Sequence, residues 1–377
     1  MTPFRKRNFI VSLINDAIWD LPAPVNLSIW WSFGSMMGVM LGVQIVTGFI
    51  LSCHYTAHVD MAFDSVVHIM RDVNSGWVLR GFHANGASVF FMCIYVHIGR
   101  GFYYSSYQYV GVWVSGVALY LLLMAEAFMG YVLPWGQMSY WGATVITSLV
   151  TVIPYVGQDL LYWVWGGYTV CNNTLMRFYS VHFILPFAMI GIILMHLYFL
   201  HKTGSNNPLG VDSDCMCVRF HPYYTVKDLL GFASLGFVIC MIVFYYPDSL
   251  GDVNNWIPAD PMKTPLTIKP EWYFLWLYTV LRSIPNKVGG VVAMFGAIVI
   301  WLFLPILHSG MFRGLAFYPH SQFLFWGLIG VWCGLSVCGM YPVAYPIEQA
   351  GQILTLSYFL LMIGIPLTQG WWDWLIS

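Results

Sequence analysis

Charge is what this chain has least of. Asp, Glu, Lys and Arg make up 8% of its 377 residues, against 59% hydrophobic ones, where a soluble protein carries roughly 25% charge. Together with a mean hydropathy of +0.70, this excludes a soluble globular domain and implies a polytopic membrane protein. The formal net charge is -1, so no excess of positive charge exists to draw nucleic acid, and none is expected as a partner. Cysteine is sparse and scattered, with Cys215 and Cys217 the only close pair among eight. That argues for free thiols rather than a disulfide framework or a metal cluster. No Cys-x-x-Cys-His occurs, which excludes covalent haem attachment of the usual kind. The start, "MTPFRKRNFIVSLINDAIWDLP", lacks the long apolar run and small-residue cleavage site of a removable signal peptide. The first span is expected to serve as its own insertion signal.

Long apolar runs are what the chain does have. A membrane helix needs ~20 mostly apolar residues, and eight stretches qualify, at about 30–53, 77–103, 111–133, 176–200, 227–246, 288–308, 321–340 and 348–367. They are continuous rather than alternating, so the fold class expected is all-α, with eight transmembrane helices. Two connections are long. Residues 134–175 are rich in Trp, Tyr and Gly and are expected to form short helices at the membrane interface. Residues 247–287 contain "DPMKTPLTIKPEWY", whose prolines break any regular helix. If the spans alternate, both connections lie on one face. Lys and Arg divide eight to seven between the faces, which does not orient the chain. The cluster at residues 5–7 leans toward an inside N-terminus.

The second span holds His83 and His97, fourteen residues apart, and the fourth holds His182 and His196, again fourteen apart. Fourteen residues are almost four helical turns, so each pair faces one way and is separated by ~21 Å along its helix. The two spans run parallel, since an even number separates them. His83 can therefore sit level with His182, and His97 level with His196. Imidazoles facing each other across a bundle are natural axial ligands of a haem iron, and two layers imply two stacked haems. Arg80 and Arg100 each lie three residues outward of a histidine, placed to meet haem propionates.

Glycines repeat the spacing. Gly34 and Gly48 on the first span, and Gly116 and Gly130 on the third, are each fourteen apart, and a macrocycle edge against a helix needs the room only glycine leaves. In order of depth, Gly34 and Gly116 match the His97/His196 layer, and Gly48 and Gly130 the His83/His182 layer. A single intramembrane histidine is often only an interhelical hydrogen-bonding residue, and a single glycine pair is often packing. Eight residues at one spacing on four spans are much harder to explain that way. The layers lie too far apart to share one metal ion.

Two aligned haems conduct electrons and need a donor and an acceptor. The ends are lined by aromatics and a few ionisable groups, which suits a lipid-soluble quinone. On the His97/His196 side lie His201, Ser205 and Asp228, able to bind quinone carbonyls and deliver protons. On the other lie "GYVLPWGQMSYWGATVIT" and "KPEWYFLWLY", with Glu271 as candidate acceptor of a quinol proton. Ordinary alternatives remain: Asp228 as a solvated helix start beside Lys227, and Glu271 as a first-turn acid.

"WWSFGS", "RGFHANGAS", "GYVLPWGQMSYWGATVIT", "HFILPF", "FLHKTGSNNPLG", "IKPEWYFLW" and "RSIPNKVGGV" closely resemble the mitochondrial cytochrome b family, the haem-bearing membrane subunit of complex III, ubiquinol–cytochrome c reductase. The resemblance covers nearly the whole chain. It implies four early helices bundled around two stacked, non-covalent b haems, with His83 and His182 on the low-potential haem near the intermembrane face. His97 and His196 would hold the high-potential haem near the matrix. Arg177 and Trp31 join Arg80, Arg100 and the four glycines as cofactor-contacting residues. The implied quinol-oxidation pocket holds Phe128, Tyr131, Gly142, Pro270, Glu271 and Tyr278; the quinone-reduction pocket holds Ser35, His201, Ser205, Phe220 and Asp228. Glu271, Tyr131, His201 and Asp228 would carry the catalysis. The implied reaction splits the two electrons of ubiquinol. One goes to the Rieske iron–sulfur protein and on to a c-type cytochrome, the other through both haems to a second quinone, with protons moved across the membrane. The partners implied are those proteins, other complex III subunits, membrane lipids and a second copy of the complex. The location implied is the mitochondrial inner membrane, with the N-terminus on the matrix side.

The expected division is an N-terminal interfacial segment over 1–29, a dihaem four-helix domain over 30–205, and a C-terminal four-helix domain over 206–377 that includes the PEWY segment. Three positions depart from the family. Glu126 stands where threonine is usual and points roughly toward the outer haem layer; it is expected to be protonated, because a bare carboxylate there is expensive. Thr267 replaces a usual histidine, and Ser32 a frequent asparagine. Two other readings stay open: a dihaem membrane subunit of a different oxidoreductase, for which the PEWY segment would have no expected role, and a transporter with intramembrane histidines, which would purify colourless.

Overall fold

The computed structural model describes residues 3–214 and 216–377, so Cys215, half of the close cysteine pair, lies outside the described residues. Eight long helices dominate: α1 (Phe33–Ser52), α2 (Gly76–Tyr103), α3 (Val110–Val132), α4 (Asn172–Thr203), α5 (Phe220–Tyr245), α6 (Lys287–Leu307), α7 (Pro319–Met340) and α8 (Ile347–Ile376). Among the described residues, seven are long and apolar enough to cross a membrane; α2 is the one that does not qualify. At 28 residues it has the length, but Arg80, His83, Asn85, His97 and Arg100 lower its hydropathy. The helix with the most polar chemistry is the one composition marks least clearly. Cys53, Cys93, Cys171, Cys240, Cys333 and Cys338 are free thiols.

Helix α1 packs on α2, and α3 on α4, so the histidine-bearing helices are each backed by a glycine-bearing one. Helix α5 closes against α1 and α2, while α7 and α8 pack together beside the short helix Leu275–Ser283. That short helix differs from the irregular connection expected over 247–287. Its run is free of proline between Pro270 and Pro285, so nothing interrupts it. A two-stranded antiparallel sheet also forms, β1 (Pro22–Pro24) with β2 (Cys217–Arg219), pairing Ala23 with Val218. Strands this short leave no alternation for a sequence pattern to detect.

The connection 134–175 forms the expected short helices, Gln137–Ser148 and Gly157–Trp165. The first is tied to the connection 247–287 by backbone and side-chain bonds: Gln137 N–H donates to Ile257 O at 3.0 Å, and Ser139 N–H to Asn255 Oδ1 at 2.9 Å. Gly136 permits the approach, since a Cβ there would lie 2.3 Å from Asn255 O. The PEWY segment is then locked onto α2. Trp272 Nε1 donates to Ser88 Oγ at 3.1 Å, Tyr273 stacks on Phe91 at 4.1 Å, and the Tyr95 hydroxyl donates to Tyr273 O. These contacts bring Glu271, remote in sequence, to the end of α2 that carries His83.

Candidate haem and quinone site

The imidazoles of His83 and His182 face each other across the bundle with ring centroids 6.2 Å apart and planes 87° from parallel. A metal–imidazole bond is about 2 Å, so the gap accommodates one metal between two rings. Around them is a cavity of about 300 Å³ lined by Gly48, Gly130, Arg80 and Glu126 as well as the two histidines. The glycine layers follow the order expected from sequence. A Cβ at Gly48 would lie 2.9 Å from His83 Cε1, at Gly130 2.6 Å from His182 Cε1, at Gly116 3.2 Å from His196 Cε1, and at Gly34 3.5 Å from His97 Cε1. The reason for the glycines is therefore partly different. Gly48, Gly130 and, less tightly, Gly116 clear space for the imidazole ring itself, whereas at Gly34 a Cβ would make ordinary contact.

Three of the four histidines have an oxygen acceptor at Nδ1. Thr47 Oγ1 donates to Val43 O at 2.6 Å and faces His83 Nδ1 at 3.0 Å. Ser115 Oγ repeats the device, donating to Gly111 O at 2.8 Å and facing His196 Nδ1 at 2.9 Å. A hydroxyl whose proton is committed to the preceding turn has its lone pairs free to accept from Nδ1–H, which leaves Nε2 for a metal. His182 Nδ1 instead meets a carboxylate, Glu126 Oε1, at 2.7 Å, with Glu126 backbone O at 3.1 Å. Glu126, expected from sequence as a protonated acid facing the outer haem layer, thus has the His182 ring as its partner. At His97, Arg100 Nη2 lies 3.2 Å from Nδ1. A guanidinium can only donate, so metal binding through Nε2, which puts the proton on Nδ1, requires Arg100 to turn away. Thr47 and Ser115 were missed in the sequence, yet each immediately precedes one of the four glycines, and that adjacency was the available signal.

The residues fit haem by a second test. Arg100 Nε and Trp31 Nε1 are both buried without an acceptor, and the guanidinium carbon lies 5.2 Å from the Trp31 ring. Two neighbouring unsatisfied donors suit the propionates of a haem. Arg80 lies over Trp256 at 5.1 Å at the opposite level. Arg177 is engaged otherwise, donating to the carbonyls of Trp163 and Val164.

The cavity around His83 and His182 reaches Glu271 and Tyr131. Burial pushes the Glu271 carboxyl up to about 7, with Asp252 adding to the rise; the nearby Tyr131 hydroxyl opposes the shift, as do the charges of Arg80 and Lys269. Phe128, Gly142, Pro270 and Tyr278 stand outside the lining of this cavity. Phe128 meets Phe178 edge-on at 5.8 Å, and the Tyr278 hydroxyl donates to Ile268 O at 3.1 Å. Gly142 borders open space. On the other side the residues are more dispersed. Asp228 is buried on α5, which removes the reading of it as a solvated helix start, and Lys227 Nζ donates to Leu27 O at 2.6 Å. One turn on, Gly231 packs against Met36 and Ser32 of the α1 entry. Phe220 and Trp31 pack on the same small cluster of Ala23, Leu27 and Tyr224. Ser35 Oγ donates to Ser32 O at 2.8 Å, and His201 is exposed in the last turn of α4, with Ser205 just past the end of that helix at Thr203.

A bundle of membrane-length helices with a facing pair of imidazoles, His83 and His182, and four histidines each beside a glycine of a neighbouring helix, defines a membrane haem protein of the redox class. The chain belongs to the cytochrome b family. The family described as "Cytochrome b/b6/petB" matches residues 18–204, and "Cytochrome b(C-terminal)/b6/petD" matches 258–359. The chain is 54% identical over 368 residues to a Mytilus edulis protein named "Cytochrome b", covering 98% of this chain and 93% of that one. It is similar to a solved chain titled "Hyperthermophilic respiratory Complex III", with a TM-score of 0.91 and 30% identity, covering 98% and 99% of the two chains. Membership carries haem b binding and electron transfer in a multi-pass membrane protein.

Proposed function

We propose that the chain passes electrons across a membrane between two quinone sites. It oxidises ubiquinol or a related quinol beside Glu271, and reduces quinone near Asp228 and His201. The observation that carries this reading is the cavity in which the facing pair His83/His182 and the Glu271–Tyr131 pair share one space. Haem b, when bound, supplies one-electron redox chemistry. His83 with His182, and His97 with His196, hold one haem each, and all eight long helices, α2 included, cross the membrane. Arg80 and Arg100 bind propionates at their own levels. Glu271, with a carboxyl near neutrality, accepts a quinol proton, and Tyr131, which lines the same cavity, helps to orient the quinol. Trp272, Tyr273 and the aromatics they pack on exclude water from that end. Asp228, His201 and Ser205, with Ser35 and Phe220, bind and protonate quinone at the other.

One electron of each quinol crosses the chain and the other leaves to a Rieske iron–sulfur protein and then a c-type haem subunit, with proton release and uptake on opposite faces. The structural relative titled a respiratory Complex III supports assembly with other subunits of such a complex; in this reading the complex is a dimer in the mitochondrial inner membrane, with the N-terminus on the matrix side. In this reading residues 30–205 form the haem-binding unit and 206–377 complete the quinol site, with 1–29 as the interfacial segment. A redox titration followed by reduced-minus-oxidised visible spectra tests it. Two b-type haems with separate midpoint potentials are expected. A colourless protein, prepared so that haem loss is excluded, overturns the reading.

A further inference from the structure

The four Nδ1 environments differ in chemistry, and one stands apart. His83 and His196 each face a hydroxyl oxygen, and His97 faces a guanidinium; only His182 faces a carboxyl group. Glu126 reaches it from α3, one turn before Gly130, whose missing side chain lets the same imidazole lie against that helix. The contact is built rather than incidental. Its 2.7 Å separation is shorter than the hydroxyl contacts at 3.0 and 2.9 Å, both groups are largely buried, and Oε2 is buried with no other partner. Glu126 therefore has His182 as its polar partner and no solvent role.

We infer that Glu126 is a positioning residue for the outer haem: its carboxyl oxygen accepts the His182 Nδ1–H, leaves Nε2 free for the iron, and makes that imidazole the more electron-donating of the two that would hold the haem. An ionised carboxylate, required here in place of the protonated acid expected from the sequence, is a stronger acceptor than a hydroxyl. A stronger acceptor at the far nitrogen raises ligand basicity, and a more basic ligand favours the oxidised iron, which carries the greater positive charge. The outer haem is thereby held at a lower potential than hydroxyl acceptors alone would set. The inner haem, with Ser115 and Arg100 at its two ligands, has no such carboxyl. This places the more reducing centre beside the Glu271 cavity, the end where a quinol electron enters, and favours onward transfer to the inner layer. The inference rests on the proposed haem ligation.

The test is a redox titration of both haems in the assembled complex carrying Glu126→Leu, which keeps the side-chain bulk and removes the oxygens. His182 Nδ1 then retains only the backbone carbonyl of residue 126, at 3.1 Å. The expected result is that the outer haem is reduced more easily by about tenfold in its equilibrium, ~59 mV for one electron, with the inner haem unmoved. Glu126→Gln, which keeps a weaker oxygen acceptor, should fall between. An outer midpoint in Glu126→Leu equal to the unaltered protein's overturns the inference. If Glu126→Leu does not assemble, Glu126→Gln decides alone: a rise confined to the outer haem supports the inference, and no change overturns it. Absence of two b-type haems in the unaltered protein would instead be failure of the proposed function, so the two failures are distinguishable.

Discussion

Replacing Gly130 by alanine puts a methyl carbon 2.6 Å from His182 Cε1 and 3.0 Å from Nε2. Carbon atoms rest at about 3.5–4.0 Å, so ring or helix must move by about 1 Å. The ring cannot yield freely, because Nδ1 is held by Glu126 and the opposite side must stay level with His83. Overpacking of this kind costs ~1–3 kcal/mol, or about 5- to 150-fold in the equilibrium between a correctly and an incorrectly placed ligand. The same substitution meets less resistance at the other three glycines, where the added carbon would lie 2.9 Å (Gly48), 3.2 Å (Gly116) and 3.5 Å (Gly34) from its histidine. The assay is haem content and the visible spectrum of four single alanine variants, purified in the complex. Loss of the outer haem should be greatest for Gly130→Ala and next for Gly48→Ala. Gly116→Ala should weaken the inner haem slightly, and Gly34→Ala should be close to unaltered. Four equal effects, or Gly34→Ala the most severe, would refute the argument that imidazole clearance is what the glycines supply.

A carboxyl at about 7 takes up a quinol proton only once ionised, so quinol oxidation should rise as pH passes upward through 7. Glu271→Gln should slow it by about 10²-fold and flatten that rise; a pH profile unchanged by the substitution counts against Glu271 as the base. The raised value also means that the native chain binds this proton more tightly than an unfolded one. The resulting stability is present below about 4.5 and lost as pH climbs through about 7. Ser115→Ala leaves His196 Nδ1–H without its hydroxyl acceptor, a cost of ~1–3 kcal/mol. The inner haem's midpoint should shift while the outer haem's stays, and a titration in which neither moves removes the role assigned to that hydroxyl.

Much of the fold was legible because a bilayer imposes a length and an apolar composition on every crossing helix. Helix α2, read from sequence as the span 77–103, carries that signal least clearly of the eight because of Arg80, Asn85 and Arg100, the side chains proposed to serve the site. Histidine and glycine spacing could be read because both depend only on helical periodicity. The hydroxyl acceptors were harder: Thr47 and Ser115 are unremarkable in an apolar helix until a neighbouring helix places a histidine against them. The quinol-side residues named from the resemblance divide for the same reason. Glu271 and Tyr131 share a cavity with the facing histidines, whereas Phe128, Gly142, Pro270 and Tyr278 do not line it. Arg177 is held by backbone carbonyls of the connection before α4, which no spacing rule anticipates.

By itself the sequence determined that this chain lies in a membrane, that its long elements are helices, and that His83 with His97, and His182 with His196, repeat at one spacing on one face of their helices. Those properties follow from composition and from the 3.6-residue turn, which are local. Only the tertiary structure decided what each histidine's second nitrogen meets, that the PEWY segment docks on α2, and that Glu126 ends beside His182. Apart from Arg100 at His97, such contacts join residues tens to hundreds of positions apart, and their distances depend on how whole helices pack.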